Sequence, residues 1–175
     1  MKYCPQCSKK LILKYINEKE RSVCSDNACG YIVWNNPIPV VLAIVEVPEG
    51  VILAHNRYWP PEKFSVITGF LESGETPEEG VKREVMEELG LHCVTLSFIN
   101  IYPFLKVNQL ILAYHVKAEG NIILNEELDA FKIISKEQLK NWNFGAGSIP
   151  AITKWLKITI EESGSPKKVG INRKN

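Results

Sequence analysis

Seven residues of this 175-residue chain have types and spacings that could do chemistry: the glutamates Glu84, Glu87 and Glu88, and the cysteines Cys4, Cys7, Cys24 and Cys29. The glutamates stand at i, i+3 and i+4, which packs three carboxylates within one helical turn. Like charges this close repel, and partial burial makes each harder to ionise. A divalent cation relieves both penalties, and hard oxygen ligands suit Mg2+ or Mn2+, which share their shell with water and phosphate oxygens. Glutamates on a helix are more often simply solvated. Here a glycine-rich loop, Gly69-Phe70-Leu71-Glu72-Ser73-Gly74-Glu75, precedes them. Such a loop lets backbone come close to an anion and delivers the chain into the helix.

The cysteines form two chelating pairs, Cys4-x2-Cys7 and Cys24-x4-Cys29, joined by a short polar segment. Four thiolates on tight turns match the tetrahedral preference of Zn2+. A segment of some thirty-five residues buries little core, so metal binding would itself fold it, in a structural rather than catalytic part. The competing reading is disulfides, which a reducing compartment disfavours. Cys93 stands apart and reads as a buried apolar thiol.

The elements that must position these groups are legible in outline. Short strands are expected at Leu11–Ile16 and about Arg21–Cys24, followed by a Pro-containing linker, Asn36-Pro37-Ile38-Pro39. Val40–Val47 and Val51–Ala54 are apolar, β-branched runs separated by Pro48-Glu49-Gly50, a hairpin signal. Lys63–Thr68 is a shorter strand candidate. The helix carrying the glutamates has clear ends: Thr76 as N-cap, Pro77 in the first position, Glu79 completing a capping box, and Gly90 as the stop. Along it Val81, Val85 and Leu89 form a core-facing stripe, with the three glutamates on its flank. Strands are expected at Val94–Tyr102 and Gln109–Val116, and helices at Ser135–Asn141 and Ile149–Ile160. The order implies an α+β or layered α/β domain. The expected organisation is a ribbon over residues 1–35, a main domain over 36–160, and a polar tail over 161–175.

Composition excludes several classes. With 21 basic and 20 acidic residues the net charge is +1, unlike a broad nucleic-acid-binding surface. No run approaches the roughly 20 apolar residues of a membrane span. The start, MKYCPQCSKK, lacks a secretory h-region, so a cytoplasmic location is the expectation.

The segment Gly69-x5-Glu75-x7-Arg83-Glu84-Val85-x-Glu87-Glu88-x-Gly90-Leu91 resembles the Nudix box at every defined position. Its seven fixed identities would coincide by chance on the order of once in 10⁸ start sites. The resemblance implies an α/β/α sandwich around a mixed sheet, and hydrolysis of a nucleoside diphosphate linked to another group. It implies Glu84, Glu87 and Glu88 as catalytic, metal-binding carboxylates, helped by a backbone carbonyl of Thr68 or Gly69. It also implies that Glu75 and Arg83 pair to tie loop to helix.

A cysteine ribbon directly before such a domain is similar to the NADH pyrophosphatase branch, as are Gly69-Phe70, Cys29-Gly30 with an aromatic at Trp34, and Gly147-Ser148-Ile149 before Trp155-Leu156. Glu126-Glu127-Leu128-Asp129-Ala130 resembles that branch's acidic segment and implies Glu126, or its neighbour Glu127, as a further metal ligand. The branch's Ser-Gln-Pro-Trp-Pro-Phe-Pro-x-Ser string is represented only by Ile101-Tyr102-Pro103-Phe104-Leu105. The substrate is therefore open among NAD(H), ADP-ribose, FAD, other ADP-linked compounds that would release AMP, and a nucleotide-capped RNA end. Phe70, Trp34 and Phe104 are stacking candidates for a base, each weighed against core packing. Arg57 is a candidate for a phosphate. His55, His92 and His115 read as structural or exposed. The resemblance also suggests a homodimer. From a different class, a Nudix fold could bind a nucleotide or RNA without turnover, but a pure sensor would be free to lose the glutamates present here.

Overall fold

The computed structural model describes residues 1–164 of the chain. Contacts divide it into two compact units, Met1–Pro37 and a second beginning at Ile38. In the first, β1 (Leu11–Ile16) and β2 (Lys19–Cys24) form an antiparallel ribbon. Asn17 and Glu18 both take positive φ in its two-residue turn, the conformation that matches the strands' right-handed twist.

The second unit is built on a six-stranded sheet in which β6–β7–β3–β4–β8 are neighbours in that order and β5 pairs with β3. The strands are β3 (Ile38–Val47), β4 (Gly50–Asn56), β5 (Ile67–Phe70), β6 (His92–Phe104), β7 (Gln109–Glu119) and β8 (Leu128–Ile134). β3 and β7 run parallel, and the other pairs are antiparallel. One edge of β3 is shared. Its far end pairs with β4 at Glu46 and Val47, while Val40–Ala43 pair with β5.

Side-chain alternation along β3 sends Leu42 and Ile44 to one face and Val41, Ala43 and Val45 to the other. The first face packs under α2 (Lys136–Lys140) and α3 (Ile149–Gly164), with Leu139, Ile152 and Trp155 in its core. The second packs against α1 (Pro77–Leu89) through Val81, Val85 and Leu89, all fully buried. Each such side chain contributes about 1.5–3 kcal/mol on burial. The result is the expected α/β/α sandwich around a mixed sheet.

Local signals fix α1 as read. Thr76 Oγ1 accepts from the Glu79 N–H, and Glu79 Oε2 accepts from the Thr76 N–H at 2.8 Å. Gly90 closes the helix in the left-handed region (φ 67°), its N–H donating to the Met86 carbonyl. Two expectations need correcting, and one strand was not foreseen. The strand before α1 is Ile67–Phe70 rather than Lys63–Thr68, because pairing with β3 and not local propensity defines it. The acidic segment 126–130 runs into a strand, β8, that alternation does not announce. Helix α3 continues to Gly164, past the expected start of the tail, and residues 165–175 of that tail lie outside the described residues. No helix among the described residues is long and apolar enough to cross a membrane.

Candidate active site

The sheet's split edge and α1 together shape a cavity of about 510 Å³ whose lining includes Gly69, Arg83, Glu84, Glu87, Glu88 and Glu127. Thr68 and Phe70 from β5, Glu72 from the loop and Gln109 from β7 complete its polar and aromatic wall. A larger cleft, about 640 Å³, opens at the β3–β4 turn beside Glu49, Glu119 and Asn121. Convergence of charge, not volume, singles out the first.

Arg83 organises this site. Its Nε and Nη2 donate to the two Glu75 oxygens at 3.0 and 2.7 Å, a bidentate pair. Nη2 also donates to the Phe70 carbonyl at 3.0 Å, and Nη1 to Glu84 at 2.8 Å and Glu87 at 3.1 Å. All five guanidinium donors are thereby engaged. Glu75 further accepts from the Glu72 N–H at 2.7 Å. These contacts, the Arg83 hydrogen bonds first, hold the Glu75 carboxyl at about 2. Arg83 thus joins the Glu75 end of the loop to α1.

Glu84 lies so close to the β5 backbone that a Cβ on Gly69 would overlap its carboxylate. No residue but glycine fits there without displacing it. Burial pushes the Glu84 carboxyl above its ordinary range, against the pull of Arg83. Glu88 goes further, to about 8, through burial first and then the charges of Glu84, Glu127 and Glu87. Among the described residues Glu88 has no hydrogen-bonding or ionic partner. Crowded carboxylates, one of them held protonated at neutral pH for want of a counter-charge, make a donor set that fits a hard divalent cation.

The sequence expectations sort unevenly onto this geometry. Thr68, Gly69, Phe70, Arg83, Glu84, Glu87 and Glu88 converge on the cavity. Of the two acidic candidates, Glu127 lines it and Glu126 does not. Arg57 is exposed and outside the lining, although its backbone N–H donates to the Glu127 carbonyl at 3.0 Å. Phe104 packs against the core beneath α3 and approaches Gly147, so core packing accounts for it. Phe70 is 58% exposed. Trp34 belongs to the ribbon unit, where the Arg21 guanidinium sits 4.7 Å from its ring centroid. Gln109 is a wall residue the sequence reading missed, since nothing in a strand's first residue announces a site.

In the ribbon unit the four expected cysteines gather with all sulfurs within 4.8 Å of one another. Cys7–Cys24 and Cys4–Cys29 approach to 3.3 and 3.7 Å, and all four thiols are free. A tetrahedral Zn2+ with bonds of ~2.3 Å places its sulfurs about 3.8 Å apart. The cluster fits that ion.

A layered sheet with this loop and helix defines a recognisable class of fold, and comparison with known proteins identifies it. Residues 36–155 match the NUDIX domain family, so the chain belongs to the Nudix family. It is 28% identical over 114 residues to the NAD-capped RNA hydrolase NudC of Vibrio parahaemolyticus, covering 65% of this chain and 42% of that protein. It is 29% identical over 147 residues to the human NAD-capped RNA hydrolase NUDT12, covering 79% of this chain and 32% of that protein. The chain thus spans less than half the length of these relatives. The crystal structure of a NUDIX hydrolase from Nitrosomonas europaea shares the fold, with a TM-score of 0.71, 22% identity and 95% of each chain covered.

Proposed function

We propose that this chain is a metal-dependent pyrophosphohydrolase that cleaves the diphosphate linkage of an ADP-linked nucleotide, with the NAD cap of an RNA 5′ end as the leading substrate. The observation that carries this reading is the convergence of Glu84, Glu87, Glu88 and Glu127 on one cavity beside the Gly69 backbone. Preference for the capped RNA rests on the relatives, whose names specify that substrate. Free NAD(H), ADP-ribose and FAD carry the same bond and are the alternatives.

Glu84, Glu87, Glu88 and Glu127, with a backbone carbonyl of Thr68 or Gly69, would hold Mg2+ or Mn2+. When bound, such ions neutralise diphosphate charge and acidify a coordinated water. The protein's own groups do the rest. Arg83 fixes the loop to the helix, so that the Gly69 backbone and the Glu84 carboxylate keep their spacing. A bound cation would favour the ionised form of the crowded carboxylates, and Glu88 or Glu87 would then orient the attacking water or take its proton. Water adds to one phosphorus, the bridging P–O bond breaks, and the bridging oxygen leaves on the other phosphate. The products are two monophosphates: AMP and the companion fragment for a free dinucleotide, or a 5′-monophosphate RNA and nicotinamide mononucleotide for an NAD-capped end. The exposed Phe70 ring offers a stacking face for a base. Cys4, Cys7, Cys24 and Cys29 would hold one structural Zn2+.

The test is a panel of NAD-capped RNA, NAD, NADH, ADP-ribose and FAD with Mg2+ or Mn2+, with monophosphate release quantified for each. Turnover that vanishes on chelation, and is highest on capped RNA, is the expected result. Inertness on the whole panel would sink the enzymatic reading.

A further inference from the structure

His55, buried at 7% exposure near the end of β4, is the least exposed histidine of the second unit, and the chemistry above does not use it. Both ring nitrogens are engaged. Nδ1 meets the Asp129 carboxylate, and Nε2 lies 3.1 Å from the Pro60 carbonyl oxygen. A carbonyl can only accept, so Nε2 carries a hydrogen. With a carboxylate on the other side, the surroundings favour a ring that donates from both nitrogens, and its pKa rises chiefly through the Asp129 hydrogen bond.

Asp129 occupies an unusual place in the sheet. His55 pairs with Ala130 and Asn56 with Leu128, so Asp129 is the extra residue of a β-bulge. The bulge changes which way β8 faces. Beyond it Ala130 and Ile134 pack on the α2–α3 side, while Leu128 packs on the α1 side. Strict alternation would have put Leu128 and Ala130 on the same face. An extra residue in a strand re-aims the side chains before it, and the side chain immediately before Leu128 is Glu127. Its main chain is held on both flanks. The Asn125 side-chain oxygen accepts from the N–H groups of Glu127 and Leu128 at 3.0 and 3.2 Å, and the Glu127 carbonyl accepts from Arg57 N–H.

We propose that His55 is a positioning residue that, through its hydrogen bond to Asp129, locks the β8 bulge and so holds Glu127 in the acidic cluster, setting that cluster's affinity for a divalent cation. The proposal rests on the reading that the cluster takes such a cation. Partners that orient a ligating carboxylate, without touching the ion, typically govern affinity by 10- to 100-fold.

The two halves of the His55 contact separate by substitution. His55→Asn keeps a donor near the Nδ1 position, facing Asp129, whereas His55→Gln keeps one near the Nε2 position, facing Pro60. Asp129→Ala removes the carboxylate from a side chain that is 47% exposed. The measurement is Mn2+ binding to the full chain without substrate, by electron paramagnetic resonance titration, with Tm recorded beside it. Asp129→Ala and His55→Gln should each weaken Mn2+ binding about 10-fold, while His55→Asn stays within ~3-fold of the wild type. Mn2+ affinity within twofold of wild type for both Asp129→Ala and His55→Gln overturns the proposal, and a lowered Tm with unchanged affinity assigns His55 to the fold alone. Glu88→Gln serves as the control. If it does not weaken Mn2+ binding, the cation site itself fails; if it does and Asp129→Ala does not, only the role of His55 fails.

Discussion

The two units of this chain hold together by different means. In residues 1–37 the buried apolar side chains are Cys4, Val23 and Cys24, while Leu13, Tyr15 and Trp34 stand exposed. From Ile38 onward two apolar cores sandwich a sheet, and whole strands such as Val40–Val45 are buried. A ribbon without a core needs another source of cohesion, and four convergent sulfurs would supply it by holding one ion. The sheet needs no such help. Metal would make the fold in one unit and the chemistry in the other.

That contrast can be broken most sharply by stripping zinc. A strong chelator, or Cys7→Ser, should collapse the amide NMR signals of residues 1–37 while those from β3 to α3 persist; a ribbon that keeps its dispersed signals without metal would erase the distinction. On the other side, Glu88→Gln should lower kcat by more than ~100-fold with Tm essentially unchanged. A comparable loss of Tm would mean that the carboxylate serves the fold after all. Phe70→Ala removes an exposed ring and should raise KM for ADP-linked substrates by about 5-fold or more, the scale of one lost stacking contact. Equal KM values would dismiss the stacking face. The smallest effect concerns the Glu75–Arg83 tie. Glu75 is held at about 2 against an ordinary 4.5, so its contribution is present above about 4.5 and is lost as pH falls towards 2. Glu75→Gln should lower Tm by roughly a few degrees at neutral pH and flatten the acid side of the Tm–pH curve, as followed by circular dichroism.

Much of the glutamate helix was legible because its signals are local. Thr76, Pro77, Glu79 and Gly90 each act within a turn of the residue they cap, so spacing alone reveals them. The cysteine pairs are readable for the same reason. What the chain hides is whatever depends on pairing. β5 exists because Ile67–Phe70 add to the edge of β3, and propensity placed the strand earlier. β8 was missed because its bulge at Asp129 breaks the alternation that marks a strand. Glu127 rather than Glu126 lines the site, a choice that two adjacent, identical residues cannot announce. Phe104 and Arg57 had the right residue types for a ligand, but burial and position in the fold place them elsewhere.

The five-fold engagement of Arg83 has a mechanical corollary. One planar group bolts the Phe70 carbonyl, the Glu75 end of the loop and two rungs of α1 into a single rigid truss. Any displacement of the loop would therefore be transmitted to Glu84 and Glu87, so that the loop and the acidic face of α1 would move as one body.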